Sequence, residues 1–300
     1  MDEEEYNNQY YIHKTICTLE VQQESQKPRE KTPKKLVLAK YHKFLKVFSK
    51  RESEQMPLRK PWDHATDLKN TFEPEKDRII PLPLQKQDEV TVFLDDQLKK
   101  GYIRPSKSPQ TSPMFFVPKK DSKKHMVQDY WYLNKFTVKN NYPLPLIRQL
   151  VDKLQGSKLF TKMDLQWGCN TSGSKKVTNG KLHLCASVEH SNLWSCTYFR
   201  LCNSPATFQA MMNEIFTDMD DMVVVYIDDL IIFTKTDNQA EHNWIILKVL
   251  CCLEENDLFI KSEKCTFHAT EVDFLGMIVR HDGISMDQTQ IKAILDWPEV

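Results

Sequence analysis

Two adjacent carboxylates, Asp228 and Asp229, stand between two strongly apolar segments, residues 222–226 and 230–234. Side chains alternate between faces along a strand, so neighbouring aspartates at a tight turn point in different directions. Turns of this kind normally use Asn-Gly or Asp-Gly, and two close carboxylates repel each other unless a cation neutralises them. The pattern indicates either an ordinary Asp-rich hairpin turn or a site for a hard divalent cation such as Mg²⁺, whose preferred ligands are carboxylate oxygens.

A two-metal site needs another carboxylate from elsewhere in the chain, and Asp164 is the candidate. It lies near the end of an apolar segment, residues 159–165, just before polar residues and Gly168. Taken alone, an aspartate in this place more often ends a strand than binds a metal. Its importance therefore depends on whether the fold brings it to the Asp-Asp pair.

Hydrophobic periodicity predicts the elements that must position these carboxylates. Strands are predicted at residues 115–118, 126–130, 159–165, 222–226 and 230–234, with a strand pair at 272–279. Helices are predicted at residues 88–100, 145–154, 204–216 and 239–255. Gly101 suits a C′ position, and Ser204 suits an N-cap with Pro205 at N1. This order predicts the α+β class, with an antiparallel sheet and helices packed on one face.

Bulk composition sets broad limits on the kind of protein. The chain has 300 residues, of which 40% are hydrophobic, so it can bury a sizeable core. Its 41 basic and 41 acidic residues balance, so net charge predicts no nucleic-acid partner. Lysines do cluster between residues 99 and 124. Such a cluster is usually a solvated face, but beside a catalytic site it would suit polyanions.

The remaining composition favours an intracellular protein with no membrane partner. The 8 cysteines are irregularly spaced and form no zinc-binding pattern. The acidic start of the sequence lacks the apolar core of a signal peptide, and no apolar run approaches the ~20 residues that span a bilayer. Free thiols in the cytoplasm or the nucleus are therefore expected, without a choice between the two compartments.

A series of motifs resembles one family. Tyr226-Ile227-Asp228-Asp229 resembles the central motif of retroelement reverse transcriptases, and Asp164 matches the single aspartate that precedes it. Over residues 61–297, further motifs are similar to Ty3/gypsy-type LTR retrotransposons, in the same order and with similar spacing. They are Pro61-Trp62-Asp63-His64-Ala65, Gly101-Tyr102-Ile103-Arg104-Pro105-Ser106, Phe116-Val117-Pro118-Lys119-Lys120-Asp121, Val127-Gln128-Asp129-Tyr130, Leu133-Asn134-Lys135, Tyr142-Pro143-Leu144-Pro145, Asn203-Ser204-Pro205-Ala206-Thr207-Phe208-Gln209, Lys264-Cys265 and Phe274-Leu275-Gly276.

This resemblance implies an RNA-directed DNA polymerase with the fingers and palm of a right-hand polymerase. By analogy, Asp164 and Asp228 hold two Mg²⁺ ions, or Mn²⁺ in their place, and Asp229 supports them. Two ions about 3.5–4 Å apart stabilise the attacking and leaving oxygens together. The implied partners are an RNA or DNA template with its primer, whose 3′-hydroxyl is extended, and dNTPs.

The resemblance also implies which residues contact the substrates. The nucleotide set comprises Lys119 or Lys120, at the tip of the lysine-rich hairpin 115–130, together with His125, Cys169 and Arg200. The primer and template set comprises Gln209, Tyr226 and the Phe274-Leu275-Gly276 turn.

Four positions depart from the family pattern. His125 and Trp131 replace arginines, Cys169 replaces the aromatic residue that screens the ribose 2′-hydroxyl, and Arg200 replaces a glycine. Histidine is shorter than arginine and mostly neutral at pH 7. Residues 170–196 also scarcely resemble the family and read largely as loops. Each of the four replacements needs one base transition, which suits drift in a copy no longer under selection.

Four regions are expected along the chain. Residues 1–60 are expected to be a polar, lysine-rich flank or linker with at most one short helix at 36–48. Residues 61–115 are expected to begin the fingers, 116–279 to form the fingers and palm, and 280–300 to start a thumb that is essentially missing.

Three functions stay open on this basis. The first is an active reverse transcriptase, which rests on the three aspartates. The second is a catalytically inactive remnant that keeps the fold and at most binds nucleic acid, since a polymerase without its thumb loses backbone contacts. The third is an interaction protein that uses its basic N-terminal half.

Overall fold

The computed structural model describes residues 33–55, 60–75, 84–105, 110–118, 124–166, 183–185, 191–194, 201–286, 291–292 and 295–297. Its helices are α1 (Pro33–Leu36), α2 (Lys50–Ser53), α3 (Leu84–Lys99), α4 (Trp131–Phe136), α5 (Ile147–Leu154), α6 (Ser204–Ile215) and α7 (Gln239–Glu255), with 3₁₀ turns at Ala39–Phe44, Thr217–Met219 and Ser262–Lys264. Its strands are β1 (Ile103–Pro105), β2 (Ser112–Pro118), β3 (Lys124–Gln128), β4 (Leu159–Gln166), β5 (His183–Cys185), β6 (Ser191–Trp194), β7 (Val223–Tyr226), β8 (Asp229–Thr234), β9 (Phe259–Ile260), β10 (Thr266–Ala269), β11 (Glu271–Phe274), β12 (Met277–Arg280) and β13 (Gly283–Met286).

The central sheet is antiparallel and has the strand order β10-β4-β8-β7, with β9 continuing beside the end of β4. Alternate residues of its strands enter two different cores. Val223, Val225 and Leu230 pack with α6 and α7 on one face, whereas Val224 and Ile231 pack on the other face. Strands that are buried on both faces read as continuous apolar runs. This double burial explains the unbroken apolar sequence on either side of the Asp-Asp pair.

Helices α6 and α7 lie on one face of this sheet, as the α+β prediction requires. The opposite face is covered by the short helix α5 and by a three-stranded sheet, β11-β12-β13. Leu150, Leu154 and Phe274 are the buried side chains that join these elements to the sheet. The sheet is therefore sandwiched, and its strand ends are held by packing from both sides.

A second sheet has the order β1-β6-β5-β2-β3 and contains the predicted hairpin of β2 and β3. Its strands β5 and β6 come from the region 170–196, which shows little family resemblance in sequence. Strand β5 pairs with β2 in parallel, and this pair is the one parallel pairing among the described strands. Helix α3 packs against this sheet through Val90 and Leu94, and Gly101 follows the helix with a φ of 73°, as its predicted C′ position requires.

One predicted helix end needs correction, because the N-cap of α6 is Asn203 and not Ser204. The Asn203 side chain forms no cap bond. Its amide donates to the Val138 carbonyl (2.8 Å) and accepts from the Asn140 N–H (3.0 Å), so it ties the helix start to a neighbouring segment. Pro205 still lies in the first turn, where its missing N–H costs nothing.

The predicted flank over residues 1–60 also needs correction for the part that the structure describes. Tyr41, Phe44, Val47 and Phe48 are almost fully buried and belong to the same core as α6 and α7. The lysines on the other side of this segment are exposed, and they give it the composition of a polar flank. The segment is amphipathic, with three-residue spacing that matches its 3₁₀ turn. It is therefore a structural part of the domain built around the central sheet.

No helix in the described ranges combines the length and apolar composition that crossing a membrane demands.

His242 links α7 to the central sheet at a fully buried position. One ring nitrogen lies 2.9 Å from the Thr161 hydroxyl on β4, and the other lies 3.2 Å from the Thr234 hydroxyl on β8. Burial, followed by the charges of His268 and Lys40, lowers the pKa of His242 from 6.5 to about 4. The folded protein therefore keeps this imidazole neutral where the unfolded chain would protonate it.

Mild acid should consequently destabilise the fold through His242. Between about pH 6.5 and pH 4, the unfolded chain binds a proton at His242 that the folded chain does not bind. The free energy of unfolding therefore decreases as the pH is lowered through this range. Between pH 7.5 and 5.5 this single group should cost about 1 kcal/mol of unfolding free energy. Urea unfolding at both pH values checks this, because His242→Gln should lose less stability than the unmodified protein. Equal losses in both proteins would contradict it.

Candidate active site

The Asp-Asp pair sits at a two-residue turn between β7 and β8. Tyr226 and Asp229 are cross-strand partners that close the hairpin, which leaves Ile227 and Asp228 at its tip. Ile227 has a φ of 52°, a left-handed conformation that is unfavourable for a β-branched residue. Backbone strain of this kind persists only where the surroundings impose it, and it clusters at functional sites.

Strand β4 imposes the position of this turn. The Leu165 N–H donates to the Asp228 carbonyl (2.9 Å), so the tip of the hairpin is bonded directly to β4. In the antiparallel register of β4 and β8, Asp164 lies opposite Asp229. Asp164 and the Asp-Asp pair, which are 64 residues apart in the sequence, therefore meet at one edge of the sheet.

A buried side chain on α6 holds the turn from the other side. The Gln209 carboxamide accepts from the Ile227 N–H (3.1 Å) and donates to the Val225 carbonyl (3.1 Å). It also donates to the Asn213 side chain (2.9 Å). Gln209 is fully buried, so these partners satisfy it without solvent. It supports the strained residue next to the aspartates.

Replacing Gln209 by methionine should therefore destabilise the protein. The two side chains are similar in size, but methionine leaves the Ile227 N–H and the Val225 carbonyl without this partner. Losing such buried bonds costs about 1–3 kcal/mol. Chemical denaturation measures the change, with Gln149→Met as the control because Gln149 is exposed on α5. A Gln209→Met variant as stable as the control would show that the carboxamide does not hold the turn.

Two lysines cap the carboxylate of Asp164. The Lys261 ammonium donates to Oδ1 at 2.8 Å, and the Lys264 ammonium donates to Oδ2 at 2.7 Å. Burial by itself raises the pKa of Asp164, but the hydrogen bonds from Lys261 and Lys264 outweigh it and hold the pKa below its ordinary value. Asp164 is therefore ionised at neutral pH, with its charge already balanced by the protein.

Asp228 has the opposite surroundings. Its Oδ1 atom is buried and has no hydrogen-bond partner among the described residues. Burial raises the pKa of Asp228 above its ordinary value, and while the charge of Lys261 opposes the rise, the charges of Asp164 and Asp229 reinforce it. An uncompensated carboxylate beside two others is the arrangement that a bound cation would relieve.

Asp229 opens onto a groove of about 360 Å³ that also includes Asp164, Lys162 and Lys264. The Lys162 ammonium lies 3.5 Å from the Asp229 carboxylate and donates to the Asp273 carbonyl (2.8 Å) on β11. This contact brings the β11–β12 hairpin to the wall of the groove. A larger groove of about 640 Å³ lies between α5 and α6 and contains none of the three aspartates, so size alone would point to the wrong place.

The β11–β12 hairpin carries the predicted primer-contacting turn. Phe274 and Met277 close it, and Leu275 and Gly276 form its tip with φ values of 54° and 80°. Two residues with positive φ define a type I′ turn, which favours glycine at such a position. The turn conformation by itself accounts for a glycine at position 276.

The other predicted site residues differ in exposure, and some lie outside the described part of the chain. Gln209 and Phe274 are fully buried, so their side chains do not reach the surface of the described structure. Tyr226, Leu275 and Gly276 are half-buried and stay candidates for such contacts. His125 belongs to β3, opposite Val117. Lys119, Lys120, Cys169 and Arg200 lie outside the described residues.

Sequence reasoning missed the charge partners of the aspartates. No sequence pattern marks Lys162 or Lys261, and Lys264 stands out only as part of the Lys264-Cys265 motif. Lys162 lies two residues before Asp164 on β4, so the period of the strand puts both on one face. Lys261 and Lys264 are three residues apart at the 3₁₀ turn Ser262–Lys264, where side chains three apart eclipse. The pairings of β9 and β10 with β4 bring that turn to Asp164.

The donor set suits a hard divalent cation, since it consists of three carboxylates, one of which has a buried unpaired oxygen. Within the described ranges, however, no group of three or more His, Cys, Asp or Glu side chains is arranged to bind a metal ion. A cation that binds here must be accompanied by a shift of side chains.

Comparisons with known proteins agree with this geometry. Residues 117–279 match the family described as reverse transcriptase (RNA-dependent DNA polymerase). The chain is 36% identical over 224 residues to the transposon Tf2-3 polyprotein of Schizosaccharomyces pombe, and 35% identical to the Tf2-7 polyprotein. These alignments cover 74% of this chain but 16% of each polyprotein.

Solved structures show the same fold. The foamy viral protease–reverse transcriptase in complex with an RNA/DNA hybrid matches 92% of this chain and 36% of its own, with a TM-score of 0.77 and 23% identity. A second structure of the foamy viral protein, in complex with double-stranded DNA, matches 91% of this chain and 50% of its own, with a TM-score of 0.76. The fold is that of the fingers and palm of a right-hand polymerase. The family match spans more than half of the sequence, and the chain therefore belongs to the reverse transcriptase (RNA-dependent DNA polymerase) family.

Proposed function

We propose that this chain is the polymerase core of an RNA-directed DNA polymerase that uses two Mg²⁺ ions, or Mn²⁺ in their place. One observation carries the proposal: Asp164 and the Asp228-Asp229 pair meet at one edge of the central sheet, and a buried oxygen of Asp228 lacks a partner among the described residues. Mg²⁺ at this edge would supply the positive charge that nucleotidyl transfer needs at the attacking and leaving oxygens.

The chain's own residues would perform three tasks. Asp164 and Asp228 would hold the metal, and Asp229, one step along β8, would support them from the cross-strand position. Gln209 and β4 would keep the turn fixed, so that no reorganisation is needed at the moment of reaction. Lys162 and Lys264, which line the groove beside the aspartates, would attract the negatively charged nucleotide and primer.

The proposed partners are a template with its primer and dNTPs. The foamy viral relatives were solved with an RNA/DNA hybrid and with double-stranded DNA, which supports duplexes of these kinds as partners here. Half-buried Tyr226 and the Leu275-Gly276 turn stay proposed contacts for the primer. Lys119, Lys120, His125, Cys169 and Arg200 stay proposed nucleotide contacts on the family resemblance. An intracellular location suits these substrates.

A second candidate function is that of a non-catalytic protein that keeps this fold and binds nucleic acid. The capping of Asp164 by two lysines favours it, as do the departures from the family at His125, Cys169 and Arg200. Under this alternative, the protein would still bind a duplex, but metal-dependent chemistry would be absent.

Primer extension separates the two candidates. Purified protein is given an RNA template with a DNA primer, dNTPs and Mg²⁺, beside a retroviral reverse transcriptase as positive control. The proposal predicts extension that EDTA stops, that Asp164→Asn removes and that Asp152→Asn, an exposed substitution on α5, leaves unchanged. Duplex binding without extension would support the second candidate instead.

A further inference from the structure

The 3₁₀ turn Ser262–Lys264 is anchored to the strand that carries Asp164. The Lys261 N–H donates to the Asp164 carbonyl (2.9 Å), and the Lys264 N–H donates to the Lys261 carbonyl (3.0 Å). Ile260, just before the turn, pairs with Leu165 in the β4–β9 ladder. The backbone of the turn is therefore fixed next to Asp164, whatever its side chains do.

This anchoring directs both lysines at one carboxylate. Residues three apart eclipse in a 3₁₀ turn, so Lys261 and Lys264 project on the same side. Lys261 takes Oδ1 and Lys264 takes Oδ2, and Asp164 is only 13% exposed between them. Both oxygens of a proposed metal ligand are therefore bonded to ammonium groups that the chain itself supplies.

An ammonium and a divalent cation compete for these oxygens. Mg²⁺ binds carboxylate oxygens at about 2.0–2.1 Å and demands near-octahedral geometry. The ammonium nitrogens lie 2.7 and 2.8 Å from the same two oxygens, so each would place a positive charge next to the bound cation and repel it. The Lys264 side chain is 59% exposed and the Lys261 side chain 35% exposed, so both have room to swing into solvent. The buried Oδ1 of Asp228, by contrast, has no ammonium bonded to it among the described residues.

We propose that Lys261 and Lys264 are tethered counterions that hold Asp164 in the metal-free protein and compete with divalent cations for it. The inference rests on the proposed function, because it concerns the same carboxylates. A cation binds first at Asp228, and it completes its site only when Lys264, the more exposed of the two lysines, leaves Asp164. The lysines thus weaken metal binding, and in exchange they prevent three carboxylates from repelling one another in the metal-free state.

Mn²⁺ binding in the absence of nucleic acid tests this competition, with the loss of the free-ion paramagnetic resonance signal as the readout. The variants are Lys261→Met, Lys264→Met and the double substitution, which keep the apolar stems but remove the charges. Each single variant should bind Mn²⁺ about threefold to tenfold more tightly than the unmodified protein, and the double variant should bind more tightly than either.

The matched control is Lys153→Met. It also removes one positive charge and one lysine–aspartate pair, the contact between Lys153 and Asp220 (2.6 Å), but it does so away from the three aspartates. Its Mn²⁺ affinity should equal that of the unmodified protein. Lys264→Arg, which keeps the charge, should likewise bind no more tightly. Asp228→Asn in the double-lysine background should abolish the gain.

Each outcome decides the inference separately from the proposed function. Tighter Mn²⁺ binding in the lysine variants without primer extension in any protein would support the competition and overturn the polymerase proposal. Primer extension by the unmodified protein, with no gain in Mn²⁺ affinity in the lysine variants beyond that of Lys153→Met, would support the polymerase proposal and overturn the competition. Weaker Mn²⁺ binding in the lysine variants, or no binding in any protein, would overturn the proposal that Lys261 and Lys264 compete with divalent cations.

Discussion

Asp228→Asn should abolish primer extension and at the same time leave the protein at least as stable as before. Asparagine keeps the shape of the side chain but removes the charge that a divalent cation needs. Electrostatic groups that act directly on nucleotidyl or phosphoryl transfer are worth about a thousandfold or more in rate, so the loss should reach at least that size. Extension of a labelled primer measures the loss of activity, and thermal unfolding of the same preparation measures the stability.

The stability half follows from the raised pKa of Asp228. Burial raises this pKa, so the folded protein resists the ionised form that prevails at pH 7, and the substitution removes that penalty. The control is Asp221→Asn, an exposed aspartate just before β7, which should keep its activity. A large drop in stability of Asp228→Asn, with activity lost only in proportion to unfolded protein, would assign Asp228 a structural role.

Truncating Tyr41 should destabilise the palm severely, although this residue lies in a region whose composition suggests a linker. Tyr41 is fully buried, and its hydroxyl lies 2.8 Å from the Asn243 side chain and 3.0 Å from the His268 ring. Its ring stacks on Phe267 at 5.3 Å between centroids. Replacing a large buried aromatic residue by alanine costs about 3–5 kcal/mol. Urea unfolding of Tyr41→Ala measures the cost.

Leu38→Ala is the matched control, since Leu38 lies three residues earlier and its side chain is 41% exposed. A surface substitution of this kind changes stability by about 0.5 kcal/mol or less. Phe44→Ala should behave like Tyr41→Ala, because Phe44 enters the same core. If all three variants unfolded at the same urea concentration as the unmodified protein, the segment would be the linker that its composition suggests.

The strands and long helices could be predicted because local rules decide them. Helix α7 has its predicted bounds, and the two strands beside the Asp-Asp pair lie within a residue or two of theirs. The apolar runs of the two strands are long because the sheet is buried on both faces. The N-terminal segment escaped prediction because its buried residues recur every three or four positions among lysines, a pattern that is polar on average. Only the core formed by α6 and α7 shows what its apolar face covers.

The site was predictable as far as the identity of its acids, and no further. The family motif singled out Asp164 and Asp228, but the cross-strand register that joins Asp164 to Asp229 is a property of the folded sheet. The lysines on Asp164 depend on the pairing of β9 with β4, a contact between segments almost a hundred residues apart. Gln209 likewise appears in a motif as a substrate contact, yet its burial makes it a support for the turn. Contacts of high sequence separation are what a linear pattern does not encode.

Mg²⁺ binding by calorimetry tests the central claim most directly, because it asks whether the three aspartates form one cation site without needing a productive template. The unmodified protein should bind Mg²⁺, and Asp164→Asn and Asp228→Asn should each lose that binding, while Asp221→Asn should retain it. Equal Mg²⁺ binding in all four proteins, or none in any of them, would contradict the claim that these carboxylates converge to hold metal for catalysis.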